Sequence, residues 1–185
     1  MMEAIENESE FHGNVSDISL SHFDAGRKFS EKTAVFVDDE NIRKGMRKGQ
    51  GLFNPGSILD YCRMNIGIPT INKLYLKGYY LRPLNLMLCR DNDFEVTVVE
   101  DNKKDAADMS LICDAMETIF VNSYVSTYVI VSGDKDFMPL IRKLHRHGKR
   151  IIVIAHRHCT SPKFIKGIEK LGHQFLDYSI IYQGA

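Results

Sequence analysis

From Thr33 onward, short runs rich in β-branched residues alternate with longer amphipathic segments, and this alternation constrains the fold of the 185-residue chain more than any other feature. Repeated strand–helix units of this kind set parallel strands side by side and lay helices over both faces of the sheet. Six strands are expected, at Thr33 to Asp38, Lys73 to Tyr79, Phe94 to Val99, Thr127 to Ser132, Arg150 to Ala155 and Gln174 to Tyr178. Helices are expected over Pro55 to Asn65, Pro83 to Arg90, Ala106 to Val121, Asp136 to His147 and Pro162 to Leu171. Pro55, Pro83 and Pro162 stand in first helical turns, where a missing N–H costs nothing. Gly148 suits the position just past a helix, where a positive φ is easiest for glycine. The stretch Asn41 to Asn54 carries Gly45, Gly49 and Gly51 among Arg43, Lys44, Arg47 and Lys48, and reads as a mobile basic loop.

The length fits one domain with a single substantial core. Residues 1–30 show no sustained period and read as a flexible acidic tail ahead of a domain at 31–185. Residues 1–32 carry seven acidic and three basic side chains, so the zero formal charge leaves the remainder about +4. A mildly basic domain is compatible with a polyanionic substrate without demanding one. No apolar stretch approaches membrane-spanning length and no secretory signal is present, so a soluble cytoplasmic protein is expected. Cys62, Cys89, Cys113 and Cys159 have no close pair, which argues against a zinc ribbon or a redox pair and for reduced packing residues.

Both acidic clusters follow strands: Asp38-Asp39-Glu40-Asn41 after Ala34 to Val37, and Asp134-Lys135-Asp136 after Tyr128 to Val131. In an open parallel sheet, ligands bind in the crevice outside the carboxyl ends of the strands, so separate strands can deliver carboxylates to one point. Carboxylates forced together raise one another's pKa unless a hard cation such as Mg²⁺ or Mn²⁺ neutralises them. Asp38, Asp108, Asp134 and Asp136 are therefore expected to hold a cation and to be catalytic. Each has a bland reading beside this one: Asp38 as a turn residue, Asp108 as charge compensation in a first helical turn, Asp134 as an ordinary turn residue after Gly133, Asp136 as an N-cap. Asp39 and Glu40 are expected to cap or solvate the next segment, and Asp105 to N-cap the helix from Ala106. Asn41 either positions a phosphate or a bound water, or starts a helix. Asp114 lies about 120° around the helix from Asp108, so it ranks as a supporting or a solvated residue. Ser132 and Lys135 either meet a phosphate or face solvent. His156-Arg157-His158 has no matching ligand cluster for zinc, which leaves a surface or RNA-facing role. Arg142, Lys143, Arg146, Lys149 and Arg150 form a basic rim whose expected role is to solvate a helix face.

Three motifs, in order, carry a family resemblance: Val37-Asp38-Asp39-Glu40-Asn41, the helix from Lys103-Lys104-Asp105-Ala106-Ala107-Asp108 to Asp114, and Val129 to Phe137 with its Ser132-Gly133-Asp134-Lys135-Asp136 core. Together with the continuation Gly148-Lys149-Arg150-Ile151-Ile152-Val153-Ile154, they resemble the NYN domain family of PIN-like nucleases over roughly residues 33–178. The resemblance implies a Rossmann-like, three-layer α/β domain with a central, mainly parallel sheet. It also implies a metal-dependent ribonuclease site with Asp38, Asp108 and Asp134 at its core and Asp136 assisting. A second Asp follows Asp38 where the family often has Gly, and Asp105 adds a further charge.

The expected activity is endonucleolytic hydrolysis of RNA with Mg²⁺ or Mn²⁺. Arg43, Lys44, Lys103, Lys104 and Lys135 are the candidates for gripping the backbone in a salt-sensitive manner. Homodimerisation is compatible with the family, and no segment specifies it. A non-catalytic RNA-binding or regulatory module is the alternative. A phosphatase of the haloacid dehalogenase type fits less well, because Asp38-Asp39-Glu40-Asn41-Ile42 lacks the second Asp that its nucleophile motif requires.

Overall fold

The computed structural model describes residues 31–47, 53–78, 87, 93–100 and 105–182. In chain order the elements are β1 (Lys32–Asp38), α1 (Asp39–Gly45), α2 (Gly56–Asn65), β2 (Ile68–Lys77), β3 (Glu95–Val99), α3 (Ala106–Val121) and β4 (Val125–Val131). They continue with α4 (Met138–Arg146), β5 (Arg150–Ala155), α5 (Pro162–Lys170), β6 (Gln174–Asp177) and the short α6 (Ser179–Tyr182). Two 3₁₀ turns, Lys135–Phe137 and Arg157–Cys159, follow β4 and β5.

The six strands form one sheet in the order β3-β2-β1-β4-β5-β6, and every pairing is parallel. Strands in such a sheet are buried on both faces, which is why they read as continuous apolar runs. In β1, Ala34 and Phe36 join the core under α3, α4 and α5, where Leu111, Ile141 and Ile168 pack. Val35 and Val37, pointing the other way, meet Ile42 of α1, Ile58 and Leu59 of α2 and Ile181 of α6. The order reverses direction between β1 and β4, so these strands diverge into connections on either side and leave a crevice at their carboxyl ends.

The expected three-layer α/β architecture with a parallel sheet holds, and three local expectations change. Asn41–Gly45 is helix, not loop. Asp38 caps α1 by accepting the Asn41 N–H, and the helix carries Asp39–Arg43 and Glu40–Lys44 ion pairs one turn apart. Such pairs support a helix despite its glycine. β2 begins at Ile68, five residues before the expected start. Pro69 disguises it: a residue without an N–H is tolerated near a strand start or a bulge, and the β1–β2 register slips beside it, between Thr33 and Ala34. The helix expected from Asp136 starts at Met138 after a 3₁₀ turn, with Pro139 in its first turn unable to continue an α ladder backwards. Gly148 has φ 67°, as its position past α4 requires.

Cys62 is buried, which pushes its thiol up to about 12. Cys113 and Cys159 are exposed instead of packed. Among the described residues no helix is long and apolar enough to cross a membrane. The tail at 1–30, the Pro83 to Arg90 helix apart from Met87, Cys89, and the pair Lys103 and Lys104 lie outside the described residues.

Candidate active site

The crevice between β1 and β4 holds a cleft of about 210 Å³ lined by Asp38, Glu40, Asn41, Lys44, Lys77, Asp105, Ala107, Asp108 and Asp134. Three segments supply its acids: the β1–α1 junction, the start of α3 and the exit of β4. Five carboxylates face two lysines there, so the cleft carries an excess of negative charge.

Asp38 is 6% exposed and doubly held. Its Oδ1 accepts the Asn41 N–H at 3.1 Å, and its Oδ2 accepts the Ser132 hydroxyl at 2.9 Å. Ser132 is fully buried, so it does not face solvent; its hydroxyl orients Asp38. Asn41 lines the cleft and also ties its two walls, because its Oδ1 accepts the Gly133 N–H at 2.8 Å. Gly133 is required there, since an added Cβ would collide with Thr160 Oγ1 and crowd Ala155. Asp134 caps its 3₁₀ turn by accepting the Asp136 N–H at 2.9 Å.

Burial holds the Asp38 carboxyl up at about 6, against the bonds from Asn41 and Ser132 that favour its charged form; nearby Asp108 adds to the rise. Asp108 is also raised to about 6, first by burial and then by Asp134 and Asp105, with Lys77 opposing. Burial lifts both acids first and the neighbouring carboxylates add to it, so a cation beside them would favour their charged forms.

Several expected roles are revised. Asp136 is exposed and does not line the cleft; the capping function expected of it belongs to Asp134. Asp105 stands at the N-cap of α3 but makes no capping bond; it adopts a left-handed backbone with φ 61° and lines the cleft. That conformation is uncommon for a residue other than glycine and costs on the order of 1 kcal/mol. Asp39 is fully buried against Arg43 at 2.6 Å, not solvated. Arg43 therefore packs inward, with its guanidinium 5.0 Å from the Phe53 ring centre, and does not line the cleft. Asp114 is neither in the cleft nor simply solvated: it accepts the Tyr75 hydroxyl at 2.7 Å and pairs with Lys73 at 3.1 Å. Lys135 is exposed outside the cleft. His156 is buried against Tyr178, at 4.8 Å between ring centres, rather than on the surface.

Lys77 and Glu40 are the cleft residues that sequence reasoning did not place. They pair at 2.6 Å, and Lys44 meets Glu40 from the other side. Glu40 sits two positions after Asp38, and Lys77 ends β2 beside β1; the signal was strand-end position, blurred by placing the end of β2 too late.

A family model described as the NYN domain matches residues 32–170. The chain belongs to the NYN domain family. This family has a PIN-like, nuclease-type fold. The chain is similar to the Uncharacterized protein MJ0482 of Methanocaldococcus jannaschii, 28% identical over 159 residues; the match covers 80% of this chain and only 59% of that relative's length. A crystal structure of a protein of unknown function, VPA0982 from Vibrio parahaemolyticus, shares the fold with a TM-score of 0.63 at 22% identity, over 80% of this chain and 93% of that one.

The donor set of the NYN cleft is all oxygen, as Mg²⁺ and Mn²⁺ prefer, and its uncompensated charge fits a divalent ion. Among the described residues no three acidic, His or Cys side chains are drawn together tightly enough to cage an ion as they stand.

Proposed function

We propose that the cleft is the active site of a metal-dependent ribonuclease that cuts RNA internally. The observation that carries this reading is the convergence of Asp38, Asp108 and Asp134 from three separate segments on one cleft at the β1–β4 switch point. Asp38, Asp108 and Asp134 would hold Mg²⁺ or Mn²⁺, with Glu40 and Asp105 adding charge beside them. When bound, the ion supplies a water of increased acidity and neutralises charge on the scissile phosphate. Ser132 and the Asn41 N–H keep Asp38 aimed into the cleft, so its orientation is set before substrate arrives. Lys44 and Lys77 flank the acids and attract the phosphate backbone, a salt-sensitive contribution.

The test is cleavage of a labelled single-stranded RNA with Mg²⁺, Mn²⁺ or EDTA, run beside Asp134→Asn. Metal-dependent products that vanish in the variant support the nuclease. Cleavage at the parental rate by a folded variant sinks the assignment. One observation favours a second reading: Lys44 and Lys77 already engage Glu40, which partly neutralises the cleft without an ion. A module that binds RNA without cutting it would give tight, salt-dependent binding and no products under any metal.

A further inference from the structure

The basic side chains around the domain divide into those already engaged and those without a partner. Lys149 donates to the Ser123 and Val125 carbonyls, and Arg150 to Glu31 and Gln174. Both are structural, and neither belongs to an available rim. Arg142, Lys143 and Arg146 on α4 and Lys170 on α5 are exposed, and none of these four side chains has an ion pair or hydrogen bond among the described residues.

These four converge. A hollow of about 430 Å³ lies along α4 against Met138, Pro139, Arg142, Lys143 and Arg146. A second, of about 320 Å³, lies between α4 and α5 and shares Arg142 and Arg146 while adding Lys170. The two arginines form the ridge between the hollows, one turn apart and so separated by roughly 6 Å along the helix. The helices approach closely here because Gly167 leaves room for Met138; a Cβ would meet the Met138 methyl. Lys143 and Arg146 also offset the helix dipole at the end of α4. That role explains neither Arg142 nor the convergence with Lys170 on another helix.

We infer that the α4–α5 face is a second contact surface for a single-stranded nucleic-acid backbone, gripping phosphates of the strand that leaves the cleft. This rests on the nuclease reading for the path of the strand: α4 begins right after the Asp134 turn, and exposed Lys135 bridges the interval. Arginine forks match phosphate geometry, and a row of unpaired cations fits a polyanion. A membrane surface fits poorly, because the exposed large apolar residues lie on other elements and none on α4 or α5.

The test is binding, measured in EDTA so that no cleavage intervenes, of the full chain to two labelled single-stranded RNAs. One is long enough to reach from the cleft to Lys170 and one covers the cleft alone. Arg142→Gln/Arg146→Gln is expected to weaken the long RNA about tenfold and to flatten its salt dependence by about 1.4 in log–log slope, for two lost phosphate contacts. Arg142→Lys/Arg146→Lys should keep most of the slope, and Lys32→Gln/Arg63→Gln, the same charge removed elsewhere, should leave both unchanged. Equal thermal midpoints show that the variants fold. Parental affinity and slope in the Gln pair would overturn the inference, as would equal losses for both RNAs. Loss of binding to phosphatidylserine vesicles with RNA binding intact would overturn it in favour of a membrane contact. A wild-type protein that binds in this way yet never cuts would remove the nuclease reading and leave the surface standing. Normal metal-dependent cutting with an unaffected Gln pair would do the reverse.

Discussion

Asp38 combines burial, two hydrogen bonds and a carboxyl held at about 6, and each property has a consequence. Its ordinary value is 3.8, so between those limits the native state keeps a proton that the unfolded chain has released. Stability from this group is thus full below about pH 4 and is lost as pH rises through 6, leaving the metal-free fold weaker at pH 7 by on the order of 3 kcal/mol. Asp38→Asn should therefore raise the unfolding midpoint in EDTA at pH 7, with the gain shrinking towards pH 4, while removing cleavage. A difference between the two proteins that ignores pH would contradict this account. Protons also compete with any cation for Asp38 and Asp108. Calorimetric titration should show Mn²⁺ affinity falling as pH drops from 7 towards 5. An affinity independent of pH would mean that neither carboxylate is a ligand.

At the scale of elements, the site depends on how β4 leaves the sheet. Gly133 donates its N–H to Asn41, and Phe137, 1% exposed, anchors the 3₁₀ turn in the core beneath α4. Phe137→Ala should cost about 3–5 kcal/mol in chemical denaturation, the usual range for a buried aromatic. Gly133→Ala should clash with the Thr160 hydroxyl and crowd Ala155, shifting the strand exit whose N–H Asn41 accepts. Cleavage is then expected to fall at least tenfold with a smaller loss of stability; activity at the parental level would show that the Asn41–Gly133 tie is dispensable. Much of this was legible in the sequence. The runs at 34–37 and 128–131 identify central strands because both faces are buried, and the acids beyond them mark the crevice. α1 was not, since Gly45 and the glycines after it suggested a loop while the capping Asp38 and the charges one turn apart said helix. Asp39 and Arg43 were misplaced for the same reason: only the helix turns them towards each other and into the protein. No local pattern reveals that Asp105 takes a left-handed backbone, since Asp adopts that conformation only occasionally.

In the whole molecule, one sheet separates two cores, and each strand contributes to both. Ile130 packs under α3 and α4, and Ile154 under α2 and α6; both are fully buried. Ile130→Ala and Ile154→Ala should each cost about 3 kcal/mol and lower the midpoint by roughly 6–12 °C. Both should act on a single transition, seen alike by near- and far-ultraviolet dichroism. Separate transitions would mean that the faces melt independently.

Asp38 and the Ser132 that holds it are 94 residues apart in the chain. The ribosome delivers β1 long before β4, and domains assemble as their segments emerge. Until most of these 185 residues are out, the Asp38 carboxylate has neither its hydroxyl partner nor Asp134 opposite. A centre divided in this way cannot assemble from its first half alone, so these carboxylates meet only late in the chain's synthesis.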